Sequence, residues 1–285
     1  MILNQPTIQQ CIIWACEQEV LAPKPGNVNG YNDGHNMQIA DFIKSAHAIA
    51  PTLTVANTSV GQRILAAIKA TQAVVDCNTN LGIVLLFAPL CVAIEQCDDF
   101  AQLPEQLTKI LNNLTVQDAV DCYQAIQLAH AGGLGNVDQH DVYSTPTVTL
   151  LQAMDAAKDR DTIAAQYLNN YHDILHIGLE SLTSAINCGE SVEWATTFAY
   201  LKLLSIIPDT LICRKQDKET ALLVSNMAQT FIDKLNKNKD LKSFASELAS
   251  WDKELKRNEN NPGTTADMSA TVLLLHAFRL AFSSN

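Results

Sequence analysis

The 285-residue sequence is short of charge and has no apolar run of membrane-spanning length. Charged residues make up 17% and hydrophobic ones 47%, which excludes a disordered chain and implies a substantial buried core. No apolar stretch reaches the roughly 18 residues needed to cross a bilayer, so no membrane association is expected. The first residues carry no basic stretch, and the apolar patch around Ile12 to Trp14 is broken by Gln, Cys and Glu. A signal peptide is therefore not expected, and a cytoplasmic location is. Bases are few and unevenly placed: seven of the 19 Lys and Arg fall between Lys234 and Arg257, among acids. That leaves no basic stripe for a nucleic-acid backbone, so no nucleic-acid partner is expected. With a net charge of −11, a chain that binds phosphates is expected to need a divalent cation to bring them in.

The eight cysteines, Cys11 to Cys213, include no C-x-x-C pair and no metal-like spacing. They read as buried small hydrophobes in a reducing compartment. Strand signals are also scarce. Val142 to Thr149 is rich in β-branched residues, but Pro146 makes it a poor central strand.

What is present is helical periodicity. It predicts helices over 7–21, 38–50, 59–76, 81–97, 104–112, 115–130, 147–157 and 160–187, then 191–206, 217–236, 240–257 and 264–282. Thr115 with Asp118 has the spacing of a capping box, Asn80 precedes the helix opened by Leu81, and Pro51, Pro146 and Pro208 mark expected stops. The expected fold is all-α, a single multi-helix domain over 1–285, because no linker, repeat or low-complexity stretch divides the chain. Its apolar helices would suit a homodimer, which no motif specifies.

Glycines sit at the helix boundaries. Eight of the 11 fall in four clusters: Gly26, Gly30 and Gly34; Gly82; Gly132, Gly133 and Gly135; and Gly263. Each lies beside Asn, Thr or Asp, at places where backbone N–H groups are free to meet an anion, so several loops are expected to converge on one cleft. Ordinary helix termination explains some of them. In Glu19 to Ser45, Pro23 and Pro25 stop a helix and hold Lys24 on stiff backbone, with Gly26, Asn27, His35 and Asp41 following. Asn78-Thr79-Asn80-Leu81-Gly82 places small polar side chains before a buried apolar run, where they could hold phosphate or sugar hydroxyls or serve only as an N-cap. Asn261-Pro262-Gly263-Thr264-Thr265-Ala266-Asp267 opens the last helix with amides and hydroxyls suited to an anion or Mg²⁺-bound phosphate. Arg214 and Lys215 are among the few bases outside the C-terminal helices, and surface ion pairing competes with phosphate binding for them. His172 and His176 share a helix face but lack the glutamate of a zinc-protease motif, which excludes that chemistry.

Taken together and in this order, EVLAPKPGNV, GH followed by ADFIKSAHAI, NTNLG, PDTLICRK and NPGTTADMSA resemble the triphosphoribosyl-dephospho-CoA synthase family. The resemblance implies an all-helical transferase that takes the 5-triphosphoribosyl group of ATP, releases adenine, and joins the group to 3′-dephospho-CoA with Mg²⁺. On this resemblance, Lys24, Arg214 and the amides around Gly26 and Gly263 would grip the triphosphate. Asn27, Asn78, Thr79, Asn80, Gly82, Gly132, Gly133, Asn261, Thr264 and Thr265 would complete the nucleotide site. Asp41 and Asp267 would serve Mg²⁺ or the ribosyl cation, and Glu19 or His35 the proton transfers. Members acting in citrate lyase maturation carry His-Lys where this chain has Asn80-Leu81, and a more charged segment at Gly132-Gly133-Leu134-Gly135. These departures leave open another acceptor such as a pterin, another ribosyl or phosphoryl transfer, or a non-catalytic nucleotide-binding role.

Overall fold

The computed structural model of the chain describes residues 2–30, 38–130, 140–237 and 241–283. Among these residues there is no β-strand, and fourteen α-helices follow one another. They are α1 (Gln5–Leu21), α2 (Ile39–Leu53), α3 (Val60–Gln72), α4 (Leu81–Ile94), α5 (Leu103–Asn112), α6 (Val116–Leu128) and α7 (Leu150–Ala157). After these come α8 (Thr162–Leu168), α9 (Glu180–Asn187), α10 (Val192–Ile206), α11 (Thr210–Lys215), α12 (Lys218–Lys237), α13 (Ala245–Arg257) and α14 (Gly263–Ser283). Their starts follow local chemistry. The Asn4 side chain accepts from the Thr7 N–H ahead of Pro6, and Ser59, Thr115 and Thr149 each form a capping box. Each such cap is worth about 1 kcal/mol.

Two helices form the middle of the molecule. In α4 every residue but Val92 is buried, and α14 is buried from Thr264 to Phe278 with Asp267 alone less so. A helix apolar on all sides must be central, and the others pack around it. α1 lies along α14, α2 along α1, α3 along α2, and α6 along α3. A second apolar cluster joins α10, α12 and α13 around Phe231 and Trp251.

Pro89 lies inside α4 and has no N–H for the Leu85 carbonyl one turn back. The hydroxyl of Tyr167, on α8, donates to that carbonyl at 2.6 Å, and the Tyr171 hydroxyl donates to Leu86 O at 3.0 Å. Two buried tyrosines thus repair the central helix where proline interrupts it.

The helix expected over 160–187 is broken. Asn170 and Tyr171 have φ of 54° and 60°, and the Tyr171 N–H returns to Gln166 O at 2.9 Å, which closes α8. A π-helical segment, Asp173–Leu179, then leads into α9. In it, Gly178 lets α14 approach so closely that a Cβ there would lie 2.3 Å from Val272. Pro51 does not stop α2, which runs on to Leu53, and the short α11 is an element the periodicity did not show. Five cysteines are buried as expected, but Cys188 is exposed at the end of α9. His172 and His176 are exposed, with their rings 4.7 Å apart and tilted by 42°. Among the described residues, no helix is long and apolar enough to cross a membrane.

Candidate active site

The site begins where α1 ends. Pro23 and Pro25 prevent the helix from continuing, and Lys24 between them turns inward and is fully buried. Its ammonium lies 3.1 Å from Glu19 Oε1 and donates to the carbonyls of Glu19, Ala22 and Val28. Tyr200 Oη donates to Pro25 O at 2.7 Å, and the Gly26 N–H donates to Asp252 at 2.9 Å, so α10 and α13 brace the turn. Gly26 has φ of +84°, and a Cβ would lie 2.7 Å from Asn260 O and 2.8 Å from Pro262. The next residue, Asn27, donates through Nδ2 to Asn261 Oδ1 at 2.8 Å. The turn after α1 and the turn before α14 are therefore one packed unit.

At the start of α14 the buried Asp209 carboxylate accepts from the Thr265 N–H and hydroxyl, both at 2.8 Å. It also accepts from the N–H groups of Leu211 (2.8 Å) and Ile212 (3.2 Å), capping α11. One carboxylate thus fixes α11, and with it Arg214, relative to α14.

Between these elements lies a cavity of about 180 Å³, walled by the end of α1, the 78–82 turn, α8, α11 and the first turns of α14. Asn78 Oδ1 accepts the Leu81 N–H at 3.1 Å, capping α4 in place of Asn80. Thr79 shares a 2.7 Å hydrogen bond with Ser45 of α2, and Asn80 bonds Thr71 of α3. Gly82 then presents bare backbone to Asp267: a Cβ there would lie 2.0 Å from Asp267 Oδ2. Opposite, Arg214 Nη1 donates to Asp161 Oδ2 at 2.7 Å, while the buried Arg214 Nε has no hydrogen-bond partner.

Comparison with known proteins places this arrangement. The family model CitG, ATP:dephospho-CoA triphosphoribosyl transferase, matches residues 5–285. The chain belongs to this family. No curated protein gives a significant match to this transferase. A crystal structure from Archaeoglobus fulgidus, described as a candidate triphosphoribosyl-dephospho-CoA synthase, shares the fold. It has a TM-score of 0.63 and 22% identity, covering 85% of this chain and 99% of that one.

The electrostatics of the transferase's cavity separate its two innermost carboxyls. Burial pushes the Asp267 pKa well above the usual carboxylate range, and the charges of Glu19, Asp209 and Asp161 push it further, against Arg214. Among the described residues nothing donates a hydrogen bond to the Asp267 carboxyl. Glu19 is also raised by burial, but the Lys24 ammonium opposes that rise. Burial lowers the Lys24 pKa in turn, while the charge of Glu19 opposes that fall and three carbonyls accept from the amine, so Glu19 is the carboxyl paired with a lysine. Both carboxyls are thus raised by burial, and contact with the lysine distinguishes Glu19 from Asp267, the kind of asymmetry on which an acid and a base can be built.

The cavity gathers Glu19, Asn27, Asn261, Gly263, Thr264 and Asp267 from the chain's two ends, and Asn78, Thr79, Asn80, Gly82 and Arg214 from between. Several other residues expected at the site lie elsewhere. Lys24 sits behind Glu19 with its hydrogens taken up, so it is not a triphosphate contact. Gly26 spends its N–H on Asp252, and Thr265 spends both its donors on Asp209. Asp41 accepts the Gln38 N–H at 3.0 Å as a cap of α2 and does not line the cavity. His35, Gly132 and Gly133 lie outside the described residues. The site residue that sequence reasoning left aside is Asp161, whose Oδ1 caps α8 and whose Oδ2 holds Arg214. In the sequence it closes the charged junction Lys158-Asp159-Arg160-Asp161, where a charge at a helix start needs no ligand to explain it. The signal for Asp209 was equally plain, an aspartate after Pro208, and its tie to Thr265 spans 56 residues.

Proposed function

We propose that the transferase breaks the N-glycosidic bond of ATP over this cavity, with Asp267 as acid and Glu19 as base. In this reading Asp267 enters the cycle protonated and Glu19, beside Lys24, enters it ionised. As the ribose C1′–N bond breaks, its electron pair goes to adenine and the Asp267 proton follows it. The ribosyl cation that develops is stabilised by the Glu19 carboxylate. A ribose hydroxyl of 3′-dephospho-CoA then bonds C1′ and gives its proton to Glu19; Glu19 releases that proton and Asp267 takes one up through solvent after the products leave, which closes the cycle. Arg214, oriented by Asp161, receives the triphosphate: its unpartnered buried Nε is the donor that a phosphate oxygen satisfies.

Among the described residues no group of three or more His, Cys, Asp or Glu is placed to hold a metal unaided. The excess of acid around Asp267 nevertheless suits a cation that arrives with phosphate, since Mg²⁺ commonly takes one or two carboxylates plus phosphates and water. Mg²⁺ would supply charge neutralisation on the triphosphate, and Asp267, once it has given up its proton, would be the carboxylate to hold it.

The observation that carries this reading is the meeting of Glu19 and Asp267 in one cavity, both raised by burial, with the Lys24 side chain in contact with Glu19 alone. Its test is adenine release from ATP and Mg²⁺, followed by chromatography with and without 3′-dephospho-CoA. Adenine formed together with a heavier CoA derivative is the expected result. Phosphate or pyrophosphate release without adenine would overturn it.

A further inference from the structure

A second cavity adjoins the first. It has a volume of about 400 Å³, lies between the C-terminal ends of α3 and α6, and shares Asn78 and Asn80 with the catalytic cavity. The shared pair forms the partition between them. The catalytic cavity, at about 180 Å³, is smaller than the ~300–1,000 Å³ typical of sites that enclose a drug-sized molecule, so a nucleotide bound there must extend beyond it. The neighbouring space is within that range.

Its walls define the chemistry of the occupant. Ile68, Val75, Leu128 and Ala129 supply apolar surface, His130 lines it at the end of α6, and among the described residues no Lys or Arg does. Asp76 adds negative charge at the wall. An anionic phosphate is disfavoured there, whereas a neutral, flat ring with apolar faces and a polar edge is accommodated. The polar edge has partners of both kinds, the Asp76 carboxylate as acceptor and the Asn78 Nδ2 as donor, since Asn78 Oδ1 caps α4 and the Asn80 amide is held by Thr71. Gln72 Nε2 donates to Leu128 O and ties α3 to α6, so the two apolar walls keep their spacing.

We propose that this cavity is the adenine-binding subsite of the transferase. The assignment rests on the reaction proposed above, in which both the donor and the acceptor carry adenine. The chemistry recognised is the base, and the experiment must tell its two sources apart.

Cys77 lines the same cavity and is half-buried, so it reports occupancy in the unaltered protein. Its alkylation by a maleimide is followed by mass spectrometry, with the exposed Cys188 as internal control. ATP or 3′-dephospho-CoA at saturating concentration should slow Cys77 labelling at least fivefold, while tripolyphosphate and 4′-phosphopantetheine leave it unchanged. Protection by ATP assigns the cavity to the leaving base; protection by 3′-dephospho-CoA alone assigns it to the acceptor. Ala129→Phe, which fills the space from the α6 side, should weaken the protecting nucleotide at least tenfold and leave tripolyphosphate affinity unchanged. Full labelling of Cys77 with ATP and 3′-dephospho-CoA both bound would overturn the subsite and leave the reaction intact. Equal protection by 4′-phosphopantetheine would also overturn it, in favour of the pantetheine arm. Wild-type protein that binds neither ATP nor tripolyphosphate would remove the reaction itself, before any variant is compared.

Discussion

The Asp267 carboxylate fills the space in which a side chain on residue 82 would stand. A Cβ at that position would lie 2.0 Å from Asp267 Oδ2, 2.5 Å from its Cγ and 2.6 Å from Ile163. The glycine of the 78–82 turn is thus needed because an acid from α14, 185 positions later, lies against its backbone. Exchanging a helical glycine for alanine normally stabilises by about 1 kcal/mol. Gly82→Ala is expected to do the reverse, lowering Tm and reducing the rate of adenine release at least ~100-fold, the scale of a 1 Å misplacement. Differential scanning fluorimetry and the adenine assay check both; a stabilised, fully active variant would remove Asp267 from the role given to it.

Asp267→Asn separates function from stability. The folded-state pKa of Asp267 is raised above the unfolded value near 3.9, so between the two the folded state holds the extra proton. Stability therefore falls as pH rises through that window, and at neutral pH the aspartate is a burden that asparagine lifts. The variant is expected to unfold at higher temperature than the wild type from neutral pH upward, by a few degrees if the relief is ~1 kcal/mol. Below about pH 4 the difference should vanish. Adenine release should be lost at every pH, because the amide cannot supply the proton.

Pro89 and Tyr167 make a second cycle, concerned with folding alone. Tyr167→Phe leaves the Leu85 carbonyl buried without a donor and is expected to cost about 1–3 kcal/mol. Pro89→Ala restores an N–H one turn along α4. In the double variant the helix can satisfy Leu85 itself, so the Tyr167→Phe penalty should shrink by most of its value. A penalty that stays the same in both backgrounds, measured by urea unfolding, would show that the tyrosine contributes packing and not a hydrogen bond.

The all-α fold was legible in the sequence because its helices are long and strongly periodic, with Thr115 and Asp118 even marking a start that the structure keeps. The break at Asn170 and Tyr171 was hidden: apolar residues continue on both sides of it, and only the Schellman-type return to Gln166 ends the helix. At the site, Glu19, Asn27, Gly82 and Asp267 stood out as small polar or acidic residues at helix ends, and the fold brings them together. Lys24 was misread for a physical reason. A lysine between two prolines has the same pattern whether it points outward to a phosphate or inward to carbonyls, and burial of the turn under Tyr200 decides which. Asp161 was passed over because a helix cap explains it locally, whereas its partner Arg214 lies 53 residues away.

The inward-facing Lys24 gives the sharpest test of the acid–base assignment. Both partners of the Lys24–Glu19 pair are cut off from solvent, so removing one leaves the other uncompensated. Lys24→Met is expected to destabilise by about 3–5 kcal/mol, and Lys24→Met with Glu19→Gln to recover much of that loss. Activity should behave differently. Without the ammonium, burial alone acts on Glu19 and its pKa rises further, so the base is deprotonated only at higher pH. The acid limb of the adenine-release profile should move to higher pH in Lys24→Met, provided the variant is assayed below its unfolding temperature. The double variant, though more stable, should release no adenine. If Lys24→Met loses rate with its acid limb unmoved, Lys24 only supports the turn, and the fixed charge facing Glu19 plays no part in making it the base.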